Sequence, residues 1–389
     1  MDFEFSEEQR QLGETLERYL NDHYSYEQYR AIARSADGWS ADVWRGLADL
    51  GVLAVNVPAD CGGLGFGPPE TLAMMQVCGR HLLLEPLIAS AVVATTLLSA
   101  FAAKRDSGEP ADAPAAALLQ QLASGERIAV LAHQDADARS DTSWLSTRAE
   151  RVKGGYRLSG HKAVVLHAPQ ADVLLVSART AGAADDETGA SLFVVPRTTP
   201  GVRIVAYPTV GALPAADVHL EQVELPVSAR LGEEGTAQAS IELALAAGLA
   251  AWCADAVSVM QALIDTTAEY LRTRQQFGQP IGRFQALQHR VADMVVHLEQ
   301  ARSMSYLATL RATSTDRDQR RRALAAARVV IGQAARFIGQ QSVQLHGGMG
   351  MTDDLIVGHY FRRLTAFELS FGDTDTHLQR YAALTRAVG

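Results

Sequence analysis

The side chains best suited to chemistry gather at two places in the last third of the chain. The first runs Tyr270-Leu-Arg-Thr-Arg-Gln-Gln-Phe-Gly-Gln-Pro-Ile-Gly-Arg-Phe-Gln285. Arg274 offers a planar, permanently charged fork that matches a phosphate. Phe277 offers a flat apolar face, and Gly278 and Pro280 make a turn. The second is Gln344-Leu-His-Gly-Gly-Met-Gly350. Its paired glycines let a backbone come close to a ligand, and their N–H groups can bind an anion or ribose hydroxyls. Each cluster alone reads equally well as a helix-ending turn, and Arg274 alone as a surface ion pair. Together they are far more specific.

Both clusters sit at the ends of long helical patterns. From about Thr236 the segments 236–272, 284–311, 317–345 and 376–387 carry apolar residues at helical spacing, which predicts a four-helix bundle. The first third is helical too. Ser6 with Gln9 forms a capping box ahead of Leu12, Leu16 and Leu20. A second helix follows Trp39-Ser40, with Val43, Leu47 and Leu50 on one face. Pro58–Gly67 is a glycine-rich break, and the helical pattern resumes to Leu122, interrupted near 107–114. Between these parts lie short apolar runs at Ile128–Leu131, Val173–Val176, Leu192–Val195, Val202–Tyr207 and Val218–Leu225. Gly154-Gly155 reads as a hairpin turn, and Thr180–Gly189 as an exposed loop. The fold class expected is mainly α with a central β unit: a helical domain over 1–125, a small β-barrel over 126–235 and a four-helix bundle over 236–389.

Composition narrows the partners. The chain has 389 residues, a formal net charge of -9, 48% hydrophobic and 20% charged residues. That length calls for two or three structural units, and an acidic surface argues against nucleic acid and anionic membranes. Cys61, Cys78 and Cys253 are scattered and odd in number, which reads as a reduced, cytoplasmic protein without disulfides. No metal-ligand spacing stands out. The start, MDFEFSEEQR, is no signal peptide, and the apolar stretch Leu243–Cys253 is too short to span a bilayer.

On these residues the sequence resembles the acyl-CoA dehydrogenase family. The family patterns R-x-x-F-G-x-x-I-x-x-F-Q and Q-x-x-G-G-x-G read here as Arg274–Gln285 and Gln344–Gly350. MDFEFSEEQRQL resembles the family's opening helix, and Pro58–Gly67 its P-x-x-x-G-G-x-G loop. The segments SARTAG, YLRTRQQFGQPIGRFQALQHR and QLHGGMGMT look most like the small subunits of pimeloyl-CoA dehydrogenases. The resemblance implies FAD-dependent α,β-dehydrogenation of an acyl-CoA in fatty acid or steroid side-chain breakdown. A carboxylate takes the α-proton, hydride goes to flavin N5, and electrons pass to an electron-transfer flavoprotein. It also implies cofactor contacts from Arg274, Gln276, Phe277, Gln285, Gln344, Gly347, Gly348 and Thr374, made across a subunit interface in the case of the two clusters.

Three departures from the pattern matter. The family's catalytic Glu lies in a Y-E-G-T segment, which reads Phe371-Gly-Asp-Thr374 here. Aligning on Gln379-Arg380 puts Asp373 at the base position, and aligning on Phe371 and Thr374 puts Gly372 there. A helix N-cap is the competing role for Asp373. The alternative site for the base, used by branched-chain members, is Gly248, followed by Leu249 where the family has Arg. The W-I-T segment that covers the flavin ring reads Val164-Val-Leu166, and the T-E-P-x-x-G-S-D loop is replaced by His133–Asp141. The dinucleotide-end contacts thus look intact while the ring contacts look eroded. Three roles follow: a catalytic subunit of a hetero-oligomer with Asp373 as base, a non-catalytic subunit completing a partner's FAD site, or an oxidase or monooxygenase on the same fold. His346, His359 and the Arg320–Arg322 run are expected to be packed or solvated, and Asp353-Asp354 to cap a helix.

Overall fold

The computed structural model describes residues 5–102, 113–138 and 141–386. Met1–Glu4 of the opening segment, most of the 107–114 interruption and Arg139-Ser140 of the replaced loop lie outside these residues.

The N-terminal part is a set of helices, each started by a local signal. Helix α1 (Glu7–His23) opens at the expected box, where the Gln9 amide donates to Ser6 Oγ at 3.3 Å and the Ser6 amide donates to Gln9 Oε1 at 3.0 Å. Helix α2 (Tyr26–Arg34) repeats the device with Ser25 and Gln28. Ser40 caps α3 (Ala41–Asp49), which buries Val43, Trp44 and Leu47. Helix α4 (Pro68–Cys78) starts on proline, whose missing N–H costs nothing in a first turn. A π-helical segment, Leu87–Ala94, leads into α5 (Thr95–Ala102), and α6 (Ala113–Ala123) follows.

The middle part is one mixed sheet of strands β1 (Ala129–Ala132), β2 (Arg148–Val152), β3 (Gly155–Leu166), β4 (Val173–Arg179), β5 (Ala190–Pro196), β6 (Val202–Pro208), β7 (Pro214–Pro226) and β8 (Arg230–Leu231). Its order is β6-β7-β3-β2-β4-β5-β8, with β1 parallel to β4. The β2–β3 hairpin turns at Gly154, whose φ of 90° suits glycine. The 180–189 loop is mostly exposed. Buried Arg179 holds it through the carbonyls of Thr188, Ala184 and Asp186.

The last part holds α7 (Gln238–Thr273), α8 (Gln285–Arg311), α9 (Arg317–His346), α10 (Ile356–Leu369) and α11 (Thr374–Arg386). A two-strand turn, β9 (Gln275–Gln276) with β10 (Gln279–Pro280), joins α7 to α8. Helix α7 is long and apolar enough to cross a membrane, but 89% of its most apolar window is buried inside the fold. Its buried residues make it the axis of the core.

Three expectations change. The helical stretch 356–369 adds an element to the four helices read from the sequence, and Leu355, not Asp353-Asp354, stands at its N-terminus. The two aspartates instead hold Arg34 and Arg362 (Asp353) and Arg30 (Asp354). The arginine run is not a solvated face. Arg320 is buried, and Arg317 and Arg321 grip Glu242 of α7 at 2.8 and 2.7 Å. All three cysteines are buried and free.

Candidate active site

A cavity of about 290 Å³ opens where the three parts meet, between α4, β3, α7 and the α10–α11 turn. One wall is a defect in the sheet. Strand β3 loses register with β7 between Lys162 and Val165. This bulge forces Val164 to a φ of 52°, a strained conformation for a β-branched residue, and leaves it 51% exposed at the cavity. Its amide donates to Asp217 at 3.2 Å. The opposite wall is Phe371-Gly372, also at positive φ. Phe371 lies over Gly248 of α7, where a Cβ would meet Val93 at 2.5 Å and Phe371 at 3.6 Å. Packing therefore leaves no room for a side chain at 248.

The turn separates Gly372 from its neighbour in function. Gly372 lines the cavity, whereas Asp373 is exposed and not among the cavity walls. Asp373 Oδ1 accepts from the Thr376 amide at 2.8 Å, the bond of an N-cap for α11. Hydrogen bonds from the Thr376 side chain and amide hold its carboxyl below the usual range. Thr374 is buried, and its amide and hydroxyl donate to Glu368 at 3.1 and 3.0 Å. Glu368 is held in turn by Arg328 and Arg336.

The other expected contacts come together elsewhere. Tyr270 stacks on His346 with ring centroids 4.3 Å apart, and Arg290 donates to Gln341 at 2.9 Å. These contacts join the end of α7, the start of α8 and the end of α9. Arg274, Gln276, Phe277, Gln285, Gln344, Gly347 and Gly348 thus form one exposed patch. Phe277 is 89% exposed at a φ of 54°. Gly347 needs its φ of 63°, but Gly348 has no such need, and a Cβ on it would meet nothing within 4 Å. Nothing among the described residues asks for glycine there, whereas a dinucleotide or a neighbouring chain lying against the turn would. The patch fits a phosphate-bearing ligand held from outside the chain. Asp255, the cavity residue of α7 nearest the patch, and Arg274 are separated along the helix by ~29 Å at 1.5 Å per residue, so patch and cavity are distinct places on one molecule.

Behind the bulge the sheet is braced by buried charge. Lys162 Nζ meets Asp135 Oδ1 at 2.7 Å and donates to the His133 carbonyl at 2.9 Å. Burial drives the Lys162 ammonium down to about 8, against the pull of Asp135. His133, pushed by burial to about 4, is neutral. Its Nε2 lies 2.8 Å from the Thr142 carbonyl and so carries the proton, and Nδ1 accepts from the Ser177 hydroxyl at 2.8 Å. At 164–166 the side chains are apolar and offer no hydrogen bond to a ring above them.

Sequence reasoning missed the polar far end of the cavity, made by Glu85, Trp252, Asp255 and Arg363. Arg363 binds Asp255 through Nε and Nη2, both at 2.9 Å, and lies 4.4 Å above the Trp252 ring. The pair joins residues 108 positions apart, so no local pattern marks it. Asp255 did interrupt the apolar run of α7, and that was the available signal.

The chain matches three family models in order: the N-terminal domain of acyl-CoA dehydrogenases over residues 6–107, the middle domain over 131–223 and the C-terminal domain over 235–384. Benzylmalonyl-CoA dehydrogenase of Aromatoleum aromaticum is 30% identical over 79% of this chain and 80% of its own. Among solved structures, the ChsE4-ChsE5 complex from Mycobacterium tuberculosis is 27% identical, covers 98% of both chains and superposes with a TM-score of 0.84. The FAD complex of PigA is 25% identical, covers 100% of both chains and gives 0.86. The helical, sheet and bundle parts are thus matched in order along nearly the whole chain, and the chain belongs to the acyl-CoA dehydrogenase family.

Proposed function

We propose that this chain is one subunit of a two-chain, FAD-dependent acyl-CoA dehydrogenase, related to the small subunits of pimeloyl-CoA dehydrogenases. Its Arg274–Gln285 and Gln344–Gly348 segments complete the FAD site of the neighbouring subunit, and its own cavity takes the acyl part of a CoA thioester beside a flavin whose dinucleotide end a neighbour completes in turn. One observation carries the reading: the phosphate-suited patch faces outward, ~29 Å along α7 from the nearest residue of the chain's own cavity, Asp255. Bound FAD supplies the two-electron oxidation of the acyl chain. Arg274 places a fixed charge and fork toward the pyrophosphate, the bare turn at Gly347-Gly348 brings backbone N–H groups close, and Phe277 gives an apolar face. Phe277, Val296, Met349 and Met351 are 89%, 56%, 51% and 73% exposed, and a neighbouring subunit would cover them. Electrons leave to an electron-transfer flavoprotein, and the free, buried cysteines suit a reducing cytoplasm.

A second reading, that the chain completes its partner's site without itself removing a proton, has its own support. Gly372 on the cavity wall and Gly248, packed behind Phe371, have no side-chain carboxyl to offer at the family's two base positions, and Asp373 is engaged in capping α11. Flavin absorbance per chain tests the main reading, on the protein alone and co-expressed with a homologous partner. Little FAD alone and a yellow, active complex is the expected result. One FAD per chain with full activity in the lone protein would overturn it. Asp373→Ala in the complex then separates the two readings.

A further inference from the structure

The far end of the cavity holds four buried polar atoms that no group among the described residues satisfies: Glu85 Oε2, Trp252 Nε1, Arg363 Nη1 and His167 Nδ1. Their side chains are at most 4% exposed, and all four residues line this cavity. Buried polar groups are nearly always paired, so four orphans facing one space mark a place built for a ligand's polar group. The groups also surround one another. The Cys78 thiol, part of the same wall, feels the charges of Asp255, Arg363 and Glu85, and His167 feels Arg363. Trp252 and Asp255 stand one and two turns along α7 from Gly248, roughly 6 and 10 Å at 1.5 Å per residue. A group bound there is the distal end of an acyl chain whose thioester end lies at the Phe371–Gly372 wall.

The chemistry of the orphans selects the group. Trp252 Nε1 and Arg363 Nη1 can only donate, while an ionised Glu85 Oε2 can only accept. A ketone accepts without donating and leaves Glu85 unanswered. A carboxylate meets Glu85 as a like charge, and the bidentate contact with Asp255 has already neutralised the Arg363 charge. An alkyl end leaves every orphan unpaired at the cost of burial. A hydroxyl both donates and accepts. From the reading above, that the cavity takes the acyl part of a CoA thioester, we infer that Glu85, Trp252 and Arg363 form a recognition site for a neutral hydroxyl at the far end of the acyl group. Burial drives the Glu85 carboxyl up to about 7, so the accept-only form on which this selection rests is the one present above that pH, where the probes are compared.

The test measures binding by calorimetry to the assembly as isolated, with octanoyl-CoA, 8-hydroxyoctanoyl-CoA and suberyl-CoA as matched probes. The hydroxy probe should bind at least about tenfold more tightly than the other two, since sites built to hydrogen-bond a hydroxyl reject analogues lacking it. Trp252→Phe retains the ring beneath Arg363 and removes only the N–H, and Glu85→Leu removes the acceptor. Each should bring the hydroxy-to-alkyl ratio below about threefold, a loss of one well-made hydrogen bond or more. Equal binding of octanoyl-CoA and 8-hydroxyoctanoyl-CoA, preference for suberyl-CoA, or a ratio unmoved by both variants overturns the inference and leaves the acyl-CoA reading standing. If no probe binds, the acyl-CoA reading fails and takes this inference with it.

Discussion

Glu85→Gln should change how stability depends on pH. The carboxyl is 4% exposed; its Oε1 accepts from the Ser40 amide at 3.1 Å and Oε2 has no partner. Burial raises its folded pKa from 4.5 to about 7, against the hydrogen bonds that favour the charged form. The folded state therefore binds more protons than the unfolded state between those values, and stability falls as pH rises through that window. At 1.36 kcal/mol for each pH unit, the carboxylate costs the fold about 3 kcal/mol at pH 8 relative to pH 4. Glutamine cannot ionise. Any fixed cost of its buried amide is the same at every pH, so the stability gap between variant and wild type should move by about 3 kcal/mol in favour of the variant between pH 4 and 8. With an unfolding entropy near 2.1 cal/mol/K per residue, a chain of this length should show a relative Tm gain of ~4 °C. Paired denaturant and thermal unfolding series at five pH values read this directly. Parallel curves for the two proteins would refute the reasoning, because the carboxyl would then titrate alike in both states.

Asp373→Ala should lower stability by about 1 kcal/mol through loss of the α11 cap, and steady-state turnover of the assembled complex decides its second role: a fall beyond about 100-fold makes it the base, whereas turnover within about twofold favours the second reading. Gly348→Ala meets nothing within 4 Å in the chain, so its unfolding midpoint should match wild type while flavin retention by the complex drops, measured as absorbance after gel filtration. Arg274→Ala should likewise change the lone chain's stability by under about 0.5 kcal/mol, as expected for an exposed side chain, and weaken FAD retention. Glu242→Gln strands buried Arg320 beside two further arginines, and denaturation should show a loss of about 2 kcal/mol at neutral pH. Burial works to raise the Glu242 carboxyl, but hydrogen bonds from Arg321 and Arg317 hold it below 4.5, so the wild-type advantage should vanish as acid protonates it.

Much of this fold was legible because its long helices carry their own instructions. The stretches 236–272, 284–311 and 317–345 read from apolar spacing match α7, α8 and α9 to within two residues, and the Ser6–Gln9 box starts α1 as expected. Ser25–Gln28 carried the same signal and was overlooked. Helix α10 hid because His359 and Arg363 interrupt its buried stripe of Val357, Tyr360, Leu364 and Phe367. These polar side chains are tolerated through partners that include Tyr29 and Asp255, both remote in sequence. The same remoteness concealed the polar end of the cavity. The bulge at Val164 was equally unreadable, since a strand's register depends on its neighbour and not on its own residues. The Arg320 run misled because charge runs are usually solvated, and Glu242 lies on another helix.

Helix α7 runs unbroken through 36 residues, with the cavity wall near its start and Arg274 at its end. If the patch serves a neighbour's flavin, as proposed, damage would follow the interface and not the chain that carries it. A variant at Arg274 has a sound cavity of its own but disables the other subunit, and a variant at Glu85 does the reverse. Two such defective chains, mixed so that each meets a healthy counterpart, could restore function that neither gives alone. The genetics of this protein would then be read in trans, with the lesion in one gene and the missing yellow colour in the product of another.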